Sequence, residues 1–164
     1  MVGEVLFALL GTILGFLLFV IWDVAQEHQR KGKERKRIIG LLKTELLDNL
    51  DICRNSKDLL SHDLKLIEET GTESVITPVS FSDSSWNITR SGDILSIFDD
   101  KQLKKLSELY SGFRMANTVL ASRATSKALR EYPIMIKAYN ARLIEMISTL
   151  EVETKELIPM VNKS

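Results

Sequence analysis

The sequence predicts an all-α protein with an N-terminal transmembrane helix followed by a cytosolic helical bundle with one long loop. Three observations lead there. Val5 to Trp22 (VLFALLGTILGFLLFVIW) is an uninterrupted apolar run of 18 residues between Glu4 and Asp23. Six of the eight residues from Arg30 to Arg37 are basic. Beyond Ile38, apolar residues recur at alternating spacings of three and four, the period of one helix face.

The apolar run sets the first element. At about 1.5 Å per residue it nearly crosses the roughly 30 Å hydrocarbon core of a bilayer, and a helix satisfies its own backbone there. A cleavable signal is the rival reading, but Glu4 and no Lys or Arg precede the run, and Asp23-Val24-Ala25 is a poor cleavage site. Short flanks rich in Lys and Arg stay on the cytoplasmic side, so the N-terminus is expected outside and the C-terminal part inside. The expected divisions are a transmembrane anchor over 1–26, a basic juxtamembrane segment over 27–37 and a cytosolic helical domain over 38–164. The basic segment reads as a stop-transfer signal in contact with anionic headgroups. No aromatic or base-reading residue is interleaved with its charges, so it does not read as a nucleic-acid site. Within the anchor, Gly11-x-x-x-Gly15 is the spacing that lets two membrane helices approach closely.

Composition narrows the function. The net charge of zero sums unlike parts: from Ile38 onward there are 16 Lys or Arg against 18 Asp or Glu. Duplex nucleic acid is therefore not an expected partner. Cys53 is the lone cysteine, which leaves no disulfide or thiolate metal site within one chain.

The helical elements follow in order. Ile39, Leu42, Leu46, Asn49 and Cys53 form a stripe that continues through Leu60, Leu64 and Ile67 and stops at Gly71, a residue suited to the left-handed turn that closes helices. This first helix is expected to continue from the membrane segment. Gly71 to Asp93, with Pro78 and a Val75-Ile76 pair too short for a strand, reads as a long loop. Ile94, Leu95, Ile97 and Phe98 form a short apolar element, and Asp99 or Asp100 caps the next helix. Its seam runs Leu103, Leu106, Tyr110, Phe113, Asn117, Leu120 and Ala124. Pro133 suits a first helical turn, so a last helix is expected over 134–157, burying Ile136, Tyr139, Leu143, Met146 and Leu150.

Between Leu109 and Ile144, Arg114, Arg123, Lys127, Arg130, Lys137 and Arg142 face only Glu131. Arg123, Lys127 and Arg130 share a stripe that continues the hydrophobic seam of their helix. Lys and Arg are rarely buried unpaired, so the stripe calls for an anion, either a neighbouring carboxylate or a phosphate. The alternative is that these side chains reach solvent at the end of the bundle. Asn49 and Asn117 interrupt apolar stripes as register-setting residues do. Trp86 and Tyr110 offer faces on which a base could stack, with core packing as the simpler reading.

Enzyme signatures are thin. His28 and His62 are the only histidines and lack zinc-binding spacing. Arg54 precedes His62 by eight positions, longer than the spacing of the helical nucleases called HEPN domains. No Walker loop, dinucleotide fingerprint or nucleophile elbow occurs. No catalytic residue, metal or cofactor is expected.

Leu42-Lys43-Thr44-Glu45-x-x-x-Asn49, Trp86 followed by Gly92, and Tyr110 with Asn117 seven positions on form a pattern that resembles small single-pass prokaryotic membrane proteins of phage defence. Size and layout are most similar to the membrane effector of type III CRISPR systems, a tetramer whose cytosolic domain binds cyclic tetra-adenylate. The resemblance implies a homo-oligomer in the prokaryotic inner membrane, with a cyclic oligonucleotide as ligand and altered membrane integrity as output. Arg123, Lys127, Arg130 and Arg114 would then bind phosphate, Trp86, Tyr110 and Asn117 would contact bases, and Gly11 and Gly15 would pack membrane helices. The competing reading is a membrane-anchored helical scaffold or adaptor that docks a protein partner without a small ligand.

Overall fold

The structure is a computed structural model that describes residues 2–72, 79–90, 97–125 and 132–161, with side chains described from Leu10 onward. Four helices stand among these residues: α1 (Val2–Thr70), α2 (Ser84–Arg90), α3 (Asp100–Thr125) and α4 (Pro133–Val161). The chain divides into two compact units, Met1–Arg37 and Ile38–Ser164.

The first unit is the opening part of α1. Every described side chain from Leu10 to Arg37 is exposed, the large apolar ones included: Phe16 and Phe19 at 66% and Trp22 at 64%. This is a helix long and apolar enough to cross a membrane, near the N-terminus. Apolar side chains on every side of a helix are stable only where something other than water surrounds them.

In the second unit, the rest of α1 buries Ile38, Leu42, Leu46, Leu50, Cys53, Leu60 and Ile67 along one stripe. The expected stripe is displaced at two points, since Ile38 is buried where Ile39 is only half-buried, and Asp63 lies fully buried beside a half-buried Leu64. Gly71 closes the helix with φ +68°, its amide bonded to the Ile67 carbonyl at 3.0 Å. Burial, and after it the negative charge of Glu151, push the Cys53 thiol up to about 12.

The segment expected as a long loop with limited structure contains a helix, α2, on which Trp86 and Thr89 are buried. Its sequence, SSWNITR, has weak helix propensity, so tertiary contacts rather than local preference hold it. Val75, Ile76, Ile94 and Leu95 lie outside the described residues. At the start of α3 the Asp99 carboxylate accepts the Gln102 amide at 2.7 Å, while the Gln102 side chain accepts the Asp99 amide at 3.1 Å, a reciprocal capping box. Pro133 opens α4, which runs four residues past the expected Leu157 to Val161, with Pro159 in its last turn.

Pairings between helices give their directions. Arg123 on α3 meets Asp63 on α1, and the more N-terminal Asn117 and Asn49 bind consecutive loop residues, so α3 runs parallel to α1. Asn140 meets Asp63, Lys137 meets Glu68, and Glu151 meets Lys57, so α4 runs antiparallel. Gly112 lets α3 and α4 close up, because a Cβ there would lie 2.5 Å from Leu150 Cδ2 and Leu150 would have to give way. The core contains a ladder of four rings: Phe81 stacks on Phe113 at 5.0 Å, Phe113 meets Tyr110 edge-on at 5.6 Å, and Tyr110 stacks on Trp86 at 5.3 Å.

Two outcomes follow for the purified chain in detergent micelles. Phe113, fully buried between two rings, should cost about 3–5 kcal/mol when changed to Ala, read from the urea midpoint. Lys155 and Lys57 hold the Glu151 carboxyl down to about 2 from its usual 4.5. A carboxyl depressed in the folded state stabilises fully above its unfolded value, so this contribution fades as pH falls from about 4.5 toward 2. Glu151→Gln should therefore lower the melting midpoint at pH 6 and leave a shallower acid loss than wild type shows.

Candidate functional site

Arg123 sits in the last turn of α3 with its side chain 4% exposed. Its Nη2 donates to Asp63 Oδ2 at 2.8 Å and its Nε to Asn140 Oδ1 at 3.1 Å. Asn140 Nδ2 donates in turn to the same Asp63 oxygen at 2.7 Å, closing a triangle between α1, α3 and α4. The anion that the cationic stripe calls for is thus, at this position, a carboxylate of the same chain. A buried guanidinium against a buried carboxylate leaves no free face for phosphate, and the pair is kept by mutual need, since either charge alone would be buried unpaired. Lys127 and Arg130 lie outside the described residues.

Glu45, Asn49 and Asn117 meet at a second locus, where they fasten the segment leading into α2, while Gly92 lies outside the described residues. Asn49 pairs twice with Ser82, donating to its carbonyl and accepting its amide, both at 2.8 Å. Asn117 pairs twice with Phe81 in the same way, at 2.9 and 2.8 Å. Each side-chain amide thereby substitutes for a neighbouring backbone, so a segment without strand partners keeps its polar groups satisfied. Glu45, 6% exposed, accepts from the Ser82 hydroxyl and the Ser85 amide at 2.8 Å and from the Trp86 amide at 3.4 Å. A carboxylate at a helix N-terminus satisfies otherwise unpaired amides and favours the helix dipole.

Trp86 and Tyr110 stack on one another with planes 7° apart, 2% and 0% exposed. Buried and mutually covered, they do not offer open faces to a base. Among the described residues the Trp86 indole nitrogen and the Tyr110 hydroxyl have no hydrogen-bond partner. Burial, followed by the charge of Glu45, pushes ionisation of the Tyr110 hydroxyl far above its ordinary range.

Arg114 is half-exposed, with Nε 3.8 Å from Asp83 Oδ2 and donating to the Tyr110 carbonyl at 3.4 Å. Lys137 pairs with Glu68 across exposed surface at 2.5 Å, and Arg142 is exposed. The cationic residues therefore do not converge on one described concavity: Arg123 is interior, Arg114 faces α2, and Lys137 and Arg142 lie on α4. Gly11 and Gly15 have open space around their Cα positions in the single chain. Among the described residues no three His, Cys, Asp or Glu side chains gather as metal ligands would. Sequence reasoning passed over Asp63 and Asn140, and named Glu45 only within a pattern without giving it a role. Their signal was present, since Asp63 lies three positions after Leu60 and Asn140 four after Ile136, both on buried seams.

If the Arg123 triangle is a structural tie, Asp63→Ala should destabilise by about 3–5 kcal/mol, whereas Asp63→Leu combined with Arg123→Met should recover most of that loss in urea melts. Comparison with protein-family models, with curated proteins and with solved structures finds no match to the chain.

Proposed function

We propose that the chain is a membrane-anchored helical module that docks a protein partner, without a small ligand and without catalysis of its own. The observation that carries this reading is the internal use of the polar and aromatic residues that ligand binding would need. Arg123 is held by Asp63 and Asn140, Asn117 by the Phe81 backbone, and Trp86 and Tyr110 by each other. These are the contacts of a prefolded scaffold. The exposed apolar helix over Leu10–Trp22 supports anchoring in a bilayer, and the basic run that follows supports a cytoplasmic location for the second unit.

In this chain Glu45, Asn49 and Asn117 hold the segment before α2, and Trp86 and Tyr110 stack on one another, so the residues behind the resemblance to single-pass defence proteins are used within the fold. An effector that binds cyclic tetra-adenylate would have to rely on Lys127, Arg130 and the half-exposed Arg114, repeated around an axis of four copies.

Both readings place the chain in the membrane, and both are open to measurement. Expressed in a bacterial host, the full chain should stay in the membrane pellet after carbonate extraction, and its appearance in the supernatant would defeat the anchor. Thermal melting of the detergent-solubilised chain with cyclic tri-, tetra- and hexa-adenylate should leave the midpoint unmoved. A ligand present at about 100 times its Kd adds about 2.7 kcal/mol, so a rise of several degrees with any of the three would return the effector reading.

A further inference from the structure

The charges that follow the apolar stretch are not spread evenly round the helix. Within the first unit, Asp23, Glu27 and Glu34 stand four and seven positions apart, on one stripe of α1. Arg30 and Lys31 lie three or four positions from both Glu27 and Glu34, and Lys31 Nζ sits 2.8 Å from Glu27 Oε1. A second stripe, about a third of a turn away, runs through Trp22, Gln29, Lys33 and Lys36 at spacings of seven, four and three. Neither lysine has an acid three or four positions to either side. Both are exposed, as is Trp22, and among the described residues neither forms an ion pair.

What lies at the head of this stripe selects its partner. With Leu10–Trp22 in a bilayer, as the anchoring reading has it, Trp22 stands where the hydrocarbon gives way to headgroups, the level at which tryptophan settles. Lys33 and Lys36 then lie about 16 and 21 Å further along the axis, while the headgroup layer is only about 5–7 Å deep. An upright helix leaves both lysines beyond the phosphates. Tilt, which reaches about 40° in membrane helices, lowers the side toward which the helix leans. Side chains on a helix also slope toward its N-terminus, here back to the membrane, and long lysine stems carry the ammonium with them. At the upper end of that range, leaning toward the lysine stripe presses Trp22 into the interface and brings both ammonium groups within a Debye length, about 8 Å, of the phosphates. Leaning the other way presents Asp23 and Glu27 instead. A second copy inserted the same way round runs parallel, so seating it on this stripe sets lysine against lysine. Bound single-stranded nucleic acid is matched by aromatics among the cations, and none lies between Gln29 and Arg37. An acidic peptide in solution neutralises the lysines but makes no use of Trp22.

We propose that the stripe of Lys33 and Lys36, with Arg37 at its margin, is a binding surface for anionic phospholipid headgroups on the Trp22 side of the bilayer, and that the helix leans toward it. The assignment rests on the anchoring reading and divides the basic run in two. Lys33 and Lys36 meet lipid phosphate, whereas Arg30 and Lys31 are matched by Glu27 and Glu34 on the helix itself. A collar that acted by total charge would be indifferent to which side of the helix carries the lysines; this surface is not.

The test uses the full chain in phosphatidylcholine vesicles holding a trace of spin-labelled phosphatidylglycerol or of spin-labelled phosphatidylcholine, with the motionally restricted share of each label read by electron spin resonance. Phosphatidylglycerol should be favoured roughly threefold or more. Salt at about 1 M should remove most of that preference, since the Debye length then falls to about 3 Å. Lys33→Glu combined with Glu34→Lys keeps the net charge and moves the cation onto the acid stripe. This exchange should cut the preference by about half or more. Helical content by circular dichroism should match wild type, because both positions are exposed. Equal restriction of the two labels in wild type overturns the proposal, and so does a preference that the exchange leaves unchanged, which would assign it to total charge. Binding of polyglutamate or of a short RNA oligomer that the exchange abolishes, with the lipid preference untouched, would identify a soluble polyanion and also overturns it. A missing lipid preference with carbonate-resistant anchoring intact removes this surface alone, whereas loss of anchoring removes the reading beneath it.

Discussion

A buried carboxylate needs a counter-charge, and at Asp63 that need fixes how three helices meet. Asp63 on α1 is fully buried, and the only ways to keep it there are to neutralise it or to surround it with donors. Arg123 from α3 and Asn140 from α4 supply both, at 2.8 and 2.7 Å. Shifting any of the three helices by one residue would turn its polar side chain away and leave a charge without a partner. Apolar packing alone tolerates such slippage far better, because leucine seams are repetitive. The triangle therefore contributes specificity of arrangement more than net stability.

The segment before α2 is governed by the same rule, with amides in place of charges. It has neither helix nor strand partners, so its backbone groups depend on side chains from elements far away in sequence. Asn49 and Asn117 satisfy Ser82 and Phe81 from two helices, and Glu45 satisfies the first amides of α2. Once the backbone is held, Phe81 and Trp86 reach the core and complete the ring ladder with Phe113 and Tyr110. Without these polar clasps the two aromatics would have no fixed approach, and the core would lose a wall.

This economy bears on function. A site for a polar ligand requires donors and acceptors left open by the fold, yet Asp63, Arg123, Asn140, Asn49, Asn117 and Glu45 are bonded within the chain, and the two buried groups without a partner, the Trp86 indole nitrogen and the Tyr110 hydroxyl, are closed off in the core. The exposed features are of another kind: an apolar helix over Leu10–Trp22, and exposed apolar side chains at the start of α4, Ile134 and Met135. Surfaces of that kind gain by being covered, which suits bilayer and protein contacts better than nucleotide chemistry.

Much of the fold was legible along the chain. The spacing from Leu42 to Ile67, the glycine at 71, the Asp99 cap and Pro133 place the long helices and their ends, because periodicity and capping are local properties carried by neighbouring residues. The apolar run and the basic residues after it are legible for the same reason. The tertiary structure alone decided that α2 forms within an apparent loop, since its helix is held by Glu45, some 40 positions earlier. It decided likewise that Arg123 meets Asp63 and that Trp86 stacks on Tyr110. A charge on a hydrophobic seam announces in sequence that it needs a partner, but the partner's identity depends on which helices lie side by side, and spacing along one helix does not encode that.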